Sequence, residues 1–230
     1  MCIRDSRYAE TFRESFAKGF PHDDVKSYAD FYEETVKLFD SKTTELFDIN
    51  KEPASVKSLY GNSRFARGLL LARRLVQNDV RYVEVQLGGW DGQHGNAGTA
   101  ANRTNAMDAP IAALLQDLSS QGLLDETMVV LTTEFGRTPR INGRGGRDHF
   151  PKAFSILMAG GGVQGGKVIG KTDAAASNIE TESYEPKDLH TTVAYALGLP
   201  VNKRIHAMGG LSLIHISEPT RPRLISYAVF

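Results

Sequence analysis

Two short apolar runs, at 128–132 (MVVLT) and 154–159 (FSILMA), constrain the fold of this chain most. Runs of that length without polar alternation, bounded by turn residues, suit strands buried on both faces of a sheet. Around them lie segments with the three-and-four spacing of helices. Residues 65–78 carry Leu69, Leu70, Ala72 and Leu75 among three arginines, and Asn62 and Ser63 offer a helix start. Residues 104–121 carry Ile111, Leu114, Leu115 and Leu118 and close at Gly122, while 186–197 stop at Gly198. Residues 80–87 (VRYVEVQL) alternate apolar and polar, as a half-exposed strand does. Strand and helix thus alternate along the chain. The expected class is α/β, a mostly parallel sheet with helices on both faces. Ahead of this, 7–50 is polar with aromatics at Phe12, Phe16, Tyr28, Phe31, Tyr32 and Phe39, which reads as an amphipathic helix pair packed on something larger.

Ligand sites in open α/β sheets form where strands end, and three polar stretches fall at such ends: 88–94 (GGWDGQH), 133–137 (TEFGR) and 146–149 (GRDH). Carboxylate and imidazole groups are what zinc and similar divalent ions take as ligands. Asp91, His94, Glu134, Asp148 and His149 are therefore the candidate metal ligands, with Arg137 as a candidate contact for an anionic group. Each has a second reading. Asp91 closes a turn through its side chain, Glu134 caps a helix after the strand, His149 is a structural histidine, and Arg137 pairs with Glu134 or Asp148. Trp90 reads as packing ahead of a sugar platform.

The glycine-rich stretch 161–167 matches G-x-x-x-x-G-K, yet Val168 stands where Ser or Thr would hold magnesium. A phosphate loop also needs a helix N-terminus behind it, and Val168, Ile169 and Gly170 read as strand. Turns flanking a hairpin account for the stretch better than nucleotide binding does.

Lys and Arg number 27 against 27 Asp and Glu, so net charge gives no reason to expect nucleic acid or an anionic membrane as partner. No apolar run approaches the roughly 18 residues of a membrane helix. Residues 1–6 (MCIRDS) and 211–230 read as translated sequencing-adaptor sequence foreign to the domain, which leaves 7–210 as the stretch to interpret. That exclusion removes Cys2, the single cysteine, so disulfides say nothing of compartment.

Between residues 47 and 204 the chain resembles a bacterial family catalogued as domain of unknown function 1501, within the alkaline phosphatase and sulfatase superfamily. The residues that carry the likeness include Phe47-Asp48-Ile49, Tyr60-Gly61, Gly88-Gly89-Trp90-Asp91, Glu134-Phe135-Gly136-Arg137-Thr138-Pro139, Gly146-Arg147-Asp148-His149 and Ala159-Gly160-Gly161-Gly162. The resemblance implies a three-layer α/β/α sandwich, incomplete here on its N-terminal side. It also implies up to two divalent metals at the strand ends, zinc first, with manganese, calcium or magnesium as other occupants. The implied chemistry is hydrolysis of phosphate or sulfate esters, and the implied partner is an anionic ester such as a sulfated or phosphorylated saccharide. Export to the periplasm is implied by the family as well. Two positions depart from the superfamily pattern. Asp91 and His94 stand three residues apart rather than four, and Glu134-Phe135 replaces an Asp-His pair, so Phe135 supplies no ligand. The superfamily's nucleophile comes from a first strand and the helix after it, a pattern not found before Phe65. A non-catalytic metal-binding or scaffold relative of the same fold is the alternative function.

Overall fold

The computed structural model describes residues 22–40, 42–91 and 98–201, with short stretches at 11, 15–16, 18–20, 205–206 and 212–214. The chain divides into two units, Met1–Pro53 and Ala54–Phe230. In the first unit, helix α1 (Asp23–Asp40) is followed by 3-10 turns at Lys42–Phe47 and Ile49–Lys51. Its aromatics do not form a core. Tyr28, Phe31 and Tyr32 are exposed, as are Phe16 and Phe20 before the helix, and they meet mainly one another, with Tyr28 and Tyr32 rings 5.4 Å apart. Phe12 lies outside the described residues.

Three helices build the core of the second unit: α2 (Ala54–Tyr60), α3 (Arg64–Val76) and α4 (Thr99–Ser120). Ser63 starts α3 by accepting a hydrogen bond from Ala66 N at 3.1 Å, an N-cap that satisfies one of the first-turn donors. Behind that cap Ala66, Leu69, Leu70 and Ala72 face inward and meet Ala113, Leu114 and Leu118 of α4, all buried. Helix α4 ends where Gly122 takes a left-handed conformation at φ 72°, the usual glycine stop. Pro110 sits inside α4, fully within its buried face.

A polar network locks the three helices together. Tyr60 Oη donates to Asp117 Oδ2 at 2.9 Å, Arg73 Nε lies 3.0 Å from the same oxygen, and Gln121 Nε2 donates to Asp117 Oδ1 at 2.6 Å. Arg73 also donates to Gln77 Oε1 at 2.8 Å. Tyr60, Arg73 and Asp117 are buried, and a buried carboxylate is tolerable because its oxygens are met by donors from α2, α3 and its own helix.

The expected parallel sheet is absent from the described residues. Strand β1 (Val129–Leu131) pairs antiparallel with β4 (Leu157–Ala159), β2 (Gly136–Arg137) with β3 (His149–Phe150), and β5 (Ile205–His206) with β6 (Ser212–Ile214). Among the described residues there is no extended sheet and no three-layer sandwich. Both apolar runs do become strands, but a parallel pair needs a crossover, usually a helix. Between β1 and β4 the chain holds no helix, only the β2–β3 ladder and its loop, so it returns in the opposite direction. Residues 80–87 keep the period of a strand, with Val83, Val85 and Leu87 half-buried and Tyr82, Glu84 and Gln86 exposed, yet join no ladder. Their inner face lies on α3, where the missing side chain of Gly68 makes room for Val85.

The glycine-rich turn after β4 has a packing cause. A side chain at Gly160 would run into the carbonyls of Leu124 and Thr127, and Gly161 N donates to Leu124 O at 2.9 Å. No helix follows Lys167 until α5 (Pro186–Ala196), and Thr172 bridges Ile179 in an antiparallel turn. Helix α5 opens with Pro186 in its first turn and Asp188 Oδ2 accepting from Glu185 N at 2.8 Å. No helix among the described residues is long and apolar enough to cross a membrane. Residues 1–6 and 211–230, read as foreign tails, lie outside the described residues apart from 212–214, whose backbone forms β6.

Candidate anion-binding site

The site grows from the β2–β3 ladder. Arg137 stands opposite His149 in the antiparallel register, and directly opposed residues of such a pair project from the same face. The ladder can exist because position 136 has no side chain: a Cβ on Gly136 would run into the carbonyl of Ala153. Between the strands, residues 138–148 are braced by their own polar groups. Thr138 N donates to Asp148 O at 2.9 Å, and Asp148 N returns a bond to Thr138 Oγ1 at 3.1 Å. Asn142 Oδ1 accepts from Arg144 N at 2.9 Å and Gly146 N at 3.0 Å, while its amide donates to Asp148 Oδ1 at 2.9 Å. Arg147 Nη1 donates to the carbonyls of Thr138, at 2.8 Å, and Pro139.

The 88–91 turn is tied to α4 and to this hairpin. Arg103 of α4 donates to Gly89 O at 3.1 Å, and two residues on, Asp91 Oδ1 lies 3.6 Å from Arg137 Nη2. On the other side the Phe135 ring meets the His149 imidazole edge-on, with centroids 4.9 Å apart. Asp91, Arg137, Asp148 and His149 thus belong to one neighbourhood. Arg137 pairs with Asp91, not with Glu134 or Asp148 as sequence suggested.

Arg137 is the chemically unusual member. Its side chain is 25% exposed, and Nη1 is buried without a hydrogen-bond partner among the described residues. A buried donor left unmet costs about 1–3 kcal/mol. A guanidinium presents its donors as a planar fork that fits the oxygens of a sulfate or phosphate. The arrangement is suited to receiving an oxyanion.

The other candidates fare differently. Glu134 is exposed and has no side-chain partner among the described residues, and strand β2 follows it, so it caps no helix. His94 lies outside the described residues. Among the described residues no three His, Cys, Asp or Glu side chains are grouped to hold a metal ion. Asp91 faces Arg137, and one Asp148 oxygen accepts from Asn142. Sequence reasoning missed Asn142 and Arg147 as the braces of the loop. The Asn142-Gly143 dipeptide, a turn signal, was the clue available.

Comparison with known families adds one finding. Residues 4–220 match the family model of a protein of unknown function, DUF1501. The chain belongs to the DUF1501 family. The match reaches beyond residue 210, where the sequence reading ended the domain. No curated protein and no solved structure matches the chain. Membership agrees with the motif resemblance at the level of the family.

Proposed function

We propose that this DUF1501 chain recognises sulfate or phosphate esters through Arg137, as the substrate-holding part of an ester hydrolase. The observation that carries the reading is the buried Nη1 of Arg137, which has no hydrogen-bond partner among the described residues, beside a long contact to Asp91. An ester oxyanion would complete the guanidinium's bonding, and the same fork would stabilise charge gathering on the ester oxygens during hydrolysis. His149 lies across the ladder from Arg137 and would be the side chain to supply a proton to a leaving group.

The test is calorimetric titration of the chain with inorganic sulfate and phosphate, joined to aryl sulfate and aryl phosphate turnover. Arg137→Ala should abolish oxyanion binding and Arg137→Lys should restore it only in part, because a lysine keeps the charge and loses the fork. Undiminished sulfate affinity in Arg137→Ala would overturn the reading. A non-catalytic oxyanion-binding role is the second reading. Binding without turnover would select it.

A further inference from the structure

Asn142 is the only asparagine of the chain that glycine follows; every other one precedes a residue with a side chain. A side chain at the following position screens its own backbone nitrogen, and glycine leaves that nitrogen open to close approach. Gly143 is exposed, a Cβ added to it would meet nothing within 4 Å, and its N–H donates to no group among the described residues. Asn142 meanwhile braces the loop between β2 and β3. Its Oδ1 accepts from Arg144 N at 2.9 Å and from Gly146 N at 3.0 Å, and its Nδ2 donates to Asp148 Oδ1 at 2.9 Å.

We infer that Asn142 is a site of spontaneous deamidation, and that its acid product unlocks this loop. Gly143 N attacks Asn142 Cγ, the bond from Cγ to Nδ2 breaks, and the leaving nitrogen takes the Gly143 proton and departs as ammonia. A five-membered succinimide is left. Water then opens the ring, at Cγ to give aspartate or at the main-chain carbonyl to give isoaspartate. The two backbone N–H groups on Oδ1 already stand at the oxygen that gathers negative charge during the attack, as the donors of an oxyanion hole do.

The consequence follows from what Asn142 holds. In aspartate the two bonds to Oδ1 survive and gain charge. The link to Asp148 does not survive, because an oxygen replaces the donor and two carboxylates then face each other at hydrogen-bond distance, where like charges repel. Asp148 is also the residue whose N–H and carbonyl bond Thr138 at the base of the loop, so displacing it opens that base. Isoaspartate adds a methylene to the main chain and moves the Arg144 and Gly146 donors off their acceptor as well. The modification does not depend on what Arg137 binds.

The experiment incubates the full chain in near-neutral and in mildly alkaline buffer, with circular dichroism to show that it stays folded. Trypsin cuts after Arg140 and Arg144 and releases 141–144 (INGR). Mass spectrometry then reads the amide and acid forms of this position, against a portion digested at the start. The acid form should accumulate with time, and faster in the alkaline buffer, where the attacking N–H ionises more readily. Peptides holding the other asparagines should keep their mass. Gly143→Ala, whose methyl enters open space, should slow the accumulation severalfold. Asn142→Asp carries the product from the outset: its Thr138 and Asp148 amides should lose protection in deuterium, while those of Arg144 and Gly146 keep theirs. Absence of the acid form above the starting portion would overturn the inference, as would equal accumulation in Gly143→Ala. Unchanged exchange at Thr138 and Asp148 in Asn142→Asp would overturn the unlocking of the loop.

Discussion

Arg137 gathers most of the residue-scale consequences. Its contact with Asp91, at 3.6 Å and with Asp91 largely exposed, is of a kind worth only about 0.2–1 kcal/mol. That is weak enough for an incoming oxyanion to displace. It also competes with any cation for the Asp91 carboxylate, so Arg137→Ala should take up zinc more tightly than the unaltered chain. Equal zinc affinity of the two, by competition with a chromogenic chelator, would remove Asp91 from the possible ligands. Gly136 is the other sensitive residue. Because an added methyl meets the Ala153 backbone rather than a movable side chain, Gly136→Ala should destabilise the hairpin by roughly 1–3 kcal/mol. It should also weaken sulfate binding, since Arg137 is the next residue. Unchanged sulfate titration and unchanged urea midpoint in this variant would show that the ladder tolerates the shift.

Among the elements, the helices were the most legible. Leu69, Leu70 and Ala72, read as one helical face, are buried together in α3, and Leu114 and Leu118 do the same in α4. The apolar pattern reports burial, and burial there came out as read. Strand direction was not legible, because Leu157, Met158 and Ala159 look the same in a parallel pair as in the antiparallel one they form with β1. The alternation at 80–87 was read correctly as a period and wrongly as a ladder, since period tells which face is covered and says nothing of a neighbour. At the site, Asp91, Arg137, Asp148 and His149 stood out through residue type, while their grouping depended on Asn142 and Arg147, whose bonds no single sequence displays. The Asp117 network was likewise invisible: Tyr60, Arg73 and Asp117 are far apart in the chain. Asp117→Ala should cost about 3–5 kcal/mol, since it strands Arg73 in a buried place. Tyr60→Phe, which removes one bond and strands no charge, should cost only about 0.5–1.5 kcal/mol. Urea unfolding followed by circular dichroism would measure both, and equal losses would mean that Asp117 is not the centre of the network.

On the scale of the whole molecule, the same network sets a response to alkali. Burial first, and then the neighbouring Asp117 carboxylate, push the Tyr60 phenol well above its ordinary value of 10.0. A group whose folded pKa is raised contributes stability that is complete below its unfolded pKa and is lost as pH climbs toward the folded one. Unfolding free energy should therefore fall as pH rises above about 10, and more steeply than in Tyr60→Phe. Parallel pH profiles for the two proteins would contradict the assignment. A different consequence follows from residues 80–87, whose side chains alternate between cover and solvent without a neighbouring strand among the described residues. In deuterium these amides should exchange within the earliest time points, while those of α3 directly beneath them persist toward the global unfolding limit. The slowest-exchanging hydrogens of this protein would then map to helices α3 and α4, and its most strand-like sequence would be among the first to label.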